Sequence, residues 1–348
     1  MLPIRECVLQ TPGYVPGEQP QTNDFIKLNT NENPYPPPPE IFDALQAELP
    51  KLRLYPDPVS TKLRKAAGAV FGVSADNIIA GNGSDEILSI AIRTFVNPGE
   101  AIAFLDLTYS LYDTLARIHG ASIIEIPTDE NFALSEPIIC PEAKLIFLAS
   151  PNPPVGKHLN RDYLEKTCAQ STAIVVIDEA YVDFSDENHL DLLQKYDNVI
   201  ISRTMSKSYS LAGMRVGFGM ASQSLIEQMN KVRDSYNLDR LSQTLATAAL
   251  ESHSYFQTIW QKVRRTRSRA IAALKELEFF VFDSDSNFVL ASPQWMSAAE
   301  LYAQLKERKI LVRYFKHPRI LNYVRISIGT DEEIDRLLTA IAQIKAQQ

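Results

Sequence analysis

The sequence predicts an α/β protein: a large α/β/α domain on a mostly parallel seven-stranded sheet, joined to a smaller α+β domain. Three observations lead there. Seven short apolar or β-branched runs lie between residues 77 and 220, and helical stretches separate most of them. Beyond about residue 240 the rhythm changes to one long helical stretch, then short strands and two further helices. With 348 residues at 45% hydrophobic composition, the chain can bury more than one core. The organisation that follows is an N-terminal arm at 1–35, a large domain at 36–238 and a small domain at 239–348, with part of the arm packed on the small domain.

Taken in order, the arm holds many prolines and few periodic apolar positions, and it ends in the polar run Leu28-Asn29-Thr30-Asn31-Glu32-Asn33-Pro34-Tyr35. Pro36 to Pro39 impose an extended path before a helix that begins near Glu40. Strands are expected at 77–80, 101–105, 122–126, 145–149, 173–177, 199–202 and 215–220, with helices such as 85–95, 109–119 and 161–169 between them. The later part reads as a helix at 241–278, strands at 279–282, 287–291, 310–314 and 323–328, a helix at 297–308 and a last one at 332–345. The basic run from Lys262 to Arg269 lies beside Phe256, Ile259, Trp260, Val263, Ile271 and Leu274 at helical spacing. It therefore reads as the solvated face of an amphipathic helix.

Charge and composition exclude several functions. A net charge of −7 and a pI near 5.4 leave no overall basic excess, so nucleic acid is not expected as a partner. Three cysteines, Cys7, Cys140 and Cys168, are far apart and form no CxxC. They fit a reduced compartment, and neither a disulfide framework nor a thiolate zinc site. The five histidines form no HxxxH pair, so no metal site is expected. Met1 to Glu6 holds no apolar signal core, and no run of about 18 apolar residues occurs. A cytoplasmic protein away from the membrane is the expectation.

In parallel sheets, ligands sit outside the carboxyl ends of the strands. The run Val199-Ile200-Ile201-Ser202 leads into Arg203-Thr204-Met205-Ser206-Lys207-Ser208-Tyr209-Ser210-Leu211-Ala212-Gly213-Met214-Arg215. A lysine just past a buried strand loses solvation, which lowers its pKa and leaves some neutral amine for bonding an aldehyde. Thr204, Ser206 and Arg215 supply donors and a fixed positive charge suited to a phosphate. Together these suggest pyridoxal phosphate, although an ordinary lysine on a strand-to-helix loop would look the same. Asp178 closes the run 173–177, where desolvation asks for a positive partner such as a protonated pyridine nitrogen; a helix N-cap would also explain it. Asn152, held extended before Pro153, is expected to present a free amide to a ligand oxygen. Gly81-Asn82-Gly83-Ser84-Asp85-Glu86 offers close backbone approach and the free amides of a helix start, or simply a capped turn. Tyr109, after the run 101–105, could stack on a flat ring or pack in the next helix.

These motifs together resemble the fold-type-I pyridoxal phosphate aminotransferases, and within them the histidinol-phosphate aminotransferases. The similarity extends to Tyr55-Pro56-Asp57, Ser150-Pro151-Asn152-Pro153-Pro154, Asp178-Glu179-Ala180-Tyr181 and Val324-Arg325-Ile326-Ser327-Ile328-Gly329-Thr330. The resemblance implies that Lys207 bonds the cofactor and later carries the proton between substrate and cofactor carbons. Asp178 would pair with the pyridine nitrogen, and Asn152 and Tyr181 with the ring oxygen. Gly83, Ser84, Asp85, Thr204, Ser206 and Arg215 would hold the phosphate, and Tyr109 would stack on the ring. Tyr55 would reach the cofactor phosphate of a neighbouring subunit, which implies a homodimer. The implied reaction exchanges an amino group between histidinol phosphate and 2-oxoglutarate or glutamate in histidine biosynthesis, with Arg325, Arg313, Tyr14 and Asn33 as substrate contacts. An aromatic amino acid aminotransferase, a phospho-amino-acid decarboxylase and a non-catalytic binder remain open at this point.

Overall fold

The computed structural model describes residues 2–22 and 24–348; Met1 and Asn23, both within the expected arm, lie outside the described residues. In the arm, α1 (Glu6–Leu9) is followed by β1 (Ile26–Leu28). The helix expected near Glu40 is broken into short turns ending in α2 (Asp43–Gln46), and α3 (Thr61–Phe71) follows.

The large sheet comprises β2 (Ile78–Asn82), β3 (Ala101–Leu105), β4 (Ser122–Ile126), β5 (Ala143–Ala149), β6 (Ile174–Asp178), β7 (Val199–Thr204) and β8 (Val216–Ala221), in the order β2-β8-β7-β6-β5-β3-β4. Only β8 among these runs antiparallel to its neighbours. β6 and β7 are buried along almost their whole length because apolar clusters pack against both faces of the sheet. α4 (Gly83–Phe95), α5 (Leu111–His119), α6 (Arg161–Gln170) and α7 (Gln223–Val232) are the helices of this part.

The long helix expected at 241–278 is two helices, α8 (Arg240–Glu251) and α9 (His253–Glu276), which meet at Ser252. α8, placed in the small domain by the sequence pattern, packs on α3, α2 and β8. The second sheet contains β9 (Phe279–Val281), β10 (Phe288–Pro293), β11 (Ile310–Tyr314) and β12 (Val324–Ser327), with α10 (Ala298–Glu307) packed on β10 and β11 and α11 (Asp331–Lys345) packed on α9 and α10. Its order is β1-β11-β12-β10-β9, and β1 of the arm is its parallel edge strand, paired with β11. Both helices start on capping boxes, Ser297 with Glu300 and Thr330 with Glu333, which satisfy the first free amides.

The basic face of α9 is not wholly solvated. Arg267 is buried and donates to the carbonyls of Phe184 and Ser286, so it stitches the helix to two loops. No described helix is long and apolar enough to cross a membrane.

Candidate active site

One cavity of about 640 Å³ lies where the ends of β3, β5, β6 and β7 meet the arm and the second sheet. Gly83 has φ +78°, and a Cβ there would stand 2.5 Å from Arg215 Nη2, so only glycine lets the arginine lie across the start of α4. Gly217 works likewise, since a Cβ would meet the Ser84 amide nitrogen at 2.3 Å. Arg215 then donates to Asp85 at 2.9 Å and to the Ser206 hydroxyl at 3.2 Å, and Thr204 accepts from the Ser206 amide at 3.2 Å. Free helix-start amides, hydroxyls and a guanidinium thus converge on one corner, as an anion requires.

Lys207 enters the same cavity, its amine donating to the Thr30 carbonyl at 3.0 Å. Burial, with the nearby Arg325 charge adding to it, pulls the amine down to about 8. Asp178 moves the opposite way: burial raises its carboxyl to about 6, against the stabilising Tyr112 hydrogen bond. Its partners are the Tyr112 hydroxyl at 2.8 Å and the Ala180 amide at 3.2 Å, with no basic side chain within 4 Å among the described residues. A buried carboxylate with only neutral donors is matched to a cationic ring nitrogen. The residues present therefore fit pyridoxal phosphate: an anion corner, a depressed amine and an unpaired carboxylate on one cavity.

Tyr109 lines the cavity and donates to Asp85 at 3.2 Å. Burial, with the nearby Asp85 charge reinforcing it, keeps this phenol protonated. Tyr181 accepts from Asn31 Nδ2 at 3.0 Å, and burial raises its phenol as well.

Two expectations need correction. Asn152 is set back from the cavity: one hydrogen of its Nδ2 goes to the Leu107 carbonyl at 2.9 Å and its Oδ1 accepts from Thr108 at 2.6 Å. The side chain is buried and joins the β3 and β5 loops, and it is not a cavity-lining residue. Asn33 also lies outside the cavity, because its Nδ2 donates to the Ser208 carbonyl at 3.1 Å and its Oδ1 accepts from the Tyr35 amide. Tyr55 is away from its own chain's cavity too. Its ring is exposed and stacks on Tyr236 at a centroid distance of 4.5 Å.

On the other side, Tyr14, Arg313 and Arg325 line the cavity. The two arginines are opposite one another on β11 and β12, and each stands 5.3 Å from the Phe315 ring. Arg325 donates to the Asn29 carbonyl at 3.2 Å, and its buried Nε has no partner. Arg313 donates to Pro16 and Val15 carbonyls of the arm. Arg319, unassigned from sequence, pairs with Asp106 at 2.6 Å and ties its loop to the large sheet.

A family model for class I and II aminotransferases matches residues 23–341. A histidinol-phosphate aminotransferase from Rippkaea orientalis is 76% identical over 345 residues, 99% of each chain. One from Synechocystis sp. is 66% identical, again over 99% of both. The chain belongs to the histidinol-phosphate aminotransferase family. Solved structures extend the agreement in fold. A histidinol-phosphate aminotransferase from Sinorhizobium meliloti in complex with pyridoxal-5'-phosphate superposes with a TM-score of 0.83 at 24% identity, covering 92% of this chain and 91% of that one. One from Clostridium acetobutylicum gives 0.84 at 22% identity, over 93% and 100%.

Family membership agrees with the sequence reading of fold, activity and cofactor. Four neighbours of the reactive groups were not singled out from sequence: Tyr112 on Asp178, Thr30 on Lys207, Asn31 on Tyr181 and Asn29 on Arg325. Their common signal was available, since three of them fall in the polar end of the arm.

Proposed function

We propose that this chain transfers an amino group between histidinol phosphate and 2-oxoglutarate, working as a pyridoxal phosphate enzyme of histidine biosynthesis in the cytoplasm. The observation that carries the reading is the pair Lys207 and Asp178, pushed in opposite directions at the ends of adjacent strands β7 and β6. When bound, the cofactor supplies an aldehyde to receive the amino group and a ring that withdraws electrons. Ser84, Asp85, Thr204, Ser206 and Arg215 would hold its phosphate, Asp178 its ring nitrogen and Tyr109 its face; Gly83, whose amide donates to the Arg215 carbonyl at 2.9 Å, makes room for Arg215 and is not itself a phosphate contact. Lys207 Nζ has the chemistry to give up and retake a proton near neutral pH, as a general acid–base at the substrate carbon does. Tyr181, steadied by Asn31, fits a hydrogen bond to the ring oxygen.

Arg325 and Arg313 suit both substrates, because a guanidinium fork binds phosphate and carboxylate alike. Neither is paired with a carboxylate within 4 Å among the described residues, so their charge is available. Tyr14, edge-on to Tyr109 at 6.2 Å, closes the arm side. A homodimer fits the exposed apolar side chains Leu52, Leu54, Tyr55 and Val59, with Tyr55 serving a neighbouring cavity.

The test is a half-reaction screen of the holoenzyme with histidinol phosphate, phenylalanine, tyrosine and threonine phosphate. Histidinol phosphate is expected to bleach the visible cofactor band fastest and without carbon dioxide release. Faster bleaching by an aromatic amino acid, or gas release from threonine phosphate, overturns the assignment.

A further inference from the structure

Three contacts converge on the residue next to Lys207. The Ser208 carbonyl accepts from the Trp260 indole nitrogen of α9 at 2.8 Å and from Asn33 Nδ2 of the arm at 3.1 Å. The Ser208 hydroxyl donates to Asp183 at 2.5 Å. Ser208 itself is buried. Trp260 and Asn33 belong to the long helix and the arm, so the peptide group that follows Ser208, one residue on from Lys207, is tied to both.

The tie extends to the other reactive group. Asp183 lies 4.0 Å from Arg203, Arg203 pairs with Glu179 at 2.7 Å, and Glu179 also holds His189 at 3.0 Å. Glu179 directly follows Asp178 in the chain. Burial alone would raise Glu179, but Arg203 and His189 overcome it and keep the carboxylate ionised. A buried network of this kind fixes geometry when every member is satisfied.

We infer that Asn33 and Trp260 are positioning residues for Lys207, acting through the Ser208 carbonyl. Asn33 therefore serves the lysine and not the substrate. The inference rests on Lys207 being the residue that bonds the cofactor. A buried carbonyl with two donors holds its peptide against both, and losing both leaves it unpaired. Displacement of that peptide moves the Lys207 backbone, and an error of ångström size at a reacting group lowers rate without changing substrate affinity.

The experiment compares holoenzymes carrying Asn33→Ala, Trp260→Phe, both together, and Trp295→Phe. Trp295 is a matched control, because its indole nitrogen donates to the Leu277 carbonyl at 3.0 Å, in contact with neither Lys207 nor Ser208. The readouts are pyridoxal phosphate affinity of the stripped proteins, the pH midpoint of the visible band, kcat and KM. Neither Asn33→Ala nor Trp260→Phe removes a charged group that acts on the Lys207 amine, namely Arg325, Glu32, Asp85 and Arg215, so a moved midpoint reports displacement of the amine.

Each single variant is expected to weaken cofactor binding and lower kcat about 3- to 10-fold, with KM for histidinol phosphate unchanged and the midpoint displaced. The double variant should lose more than the product of the singles, because the donors share one acceptor. Trp295→Phe should match the unsubstituted enzyme. Wild-type affinity and midpoint in Asn33→Ala, or an equal shift in Trp295→Phe, overturns the inference. A raised KM with kcat intact in Asn33→Ala returns that residue to the substrate side and overturns it too. Asn33→Ala keeps the test open should Trp260→Phe fail to fold. A visible band that survives Lys207→Ala defeats the underlying assignment of the lysine instead.

Discussion

The two walls of the cavity are built on different electrostatic plans. On the large-sheet wall, Arg215 is paired with Asp85 at 2.9 Å, and Asp178 is a buried carboxylate with two neutral donors and, among the described residues, no cation of its own chain within 4 Å. On the arm and second-sheet wall, Arg313 and Arg325 face each other across strands and donate only to backbone carbonyls. Like charges opposite one another on paired strands cost stability. Burial, with Arg313 contributing, lowers the pKa of Arg325. The first wall leaves a buried carboxylate suited to the resident group proposed above, whereas the second carries two cations without carboxylate partners among the described residues, suited to the proposed anionic substrates.

The largest expected effect breaks the cofactor wall outright. Lys207→Ala should abolish the visible cofactor band and lower turnover by roughly 1,000-fold or more, since the general acid–base goes with the covalent anchor. Retention of both in an absorbance and rate assay would remove the lysine from the mechanism. Next, the walls should separate in their kinetics. Arg215→Ala is expected to weaken cofactor affinity about tenfold or more, as loss of a charged hydrogen bond implies, measured by equilibrium titration of the stripped protein. Arg313→Ala, whose guanidinium also pins the arm, should raise KM for 2-oxoglutarate several-fold, by about 3- to 10-fold, and leave cofactor affinity alone. A matching loss of cofactor would collapse the distinction.

A smaller effect sharpens it through pH. Asp178 has a folded pKa raised from 3.8 to about 6, so the folded cofactor-free protein binds this proton more tightly than the unfolded chain. Stability from this group therefore falls as pH rises through that interval, and the full cost of the buried carboxylate stands above it. Asp178→Asn in the cofactor-free protein should raise the melting temperature by a few degrees at neutral pH, with the gain fading below about pH 4. Equal melting temperatures at pH 7 would show that the carboxylate is not under strain. Lys207 has the same cost with the opposite pH dependence: its penalty is present below about 8 and is relieved as pH climbs toward 10.5.

That Asp178, Lys207 and Arg215 gather on one cavity was legible because a parallel sheet restricts where ligands bind, and all three fall at the ends of β6, β7 and β8. Four of the five strands of the second sheet were legible too, with 310–314 recovered as β11 without change, whereas β1 of the arm was not read as a strand. What escaped depends on contacts between residues far apart in sequence. Nothing local says that Asn152 donates to the Leu107 carbonyl, or that Asn33 reaches Ser208 across 175 positions. The polar end of the arm was visible as a run, but its positive-φ turn at Asn31, φ 57°, decides which of its side chains meet Tyr181 and Ser327. The break between α8 and α9 at Ser252 was hidden for a related reason, since helical periodicity continues on both sides of it.

The measurement that bears most directly on the two-wall account is a spectral titration of the Arg325→Ala holoenzyme. The account predicts a visible cofactor band of normal intensity and wild-type cofactor affinity, with the band's pH midpoint raised because the Arg325 charge no longer acts on the Lys207 amine. It also predicts that 2-oxoglutarate saturates the return half-reaction only at a concentration raised by about 10- to 100-fold, as loss of a charged contact implies. A band lost at the outset, or a saturation point equal to that of the unsubstituted enzyme, would contradict it.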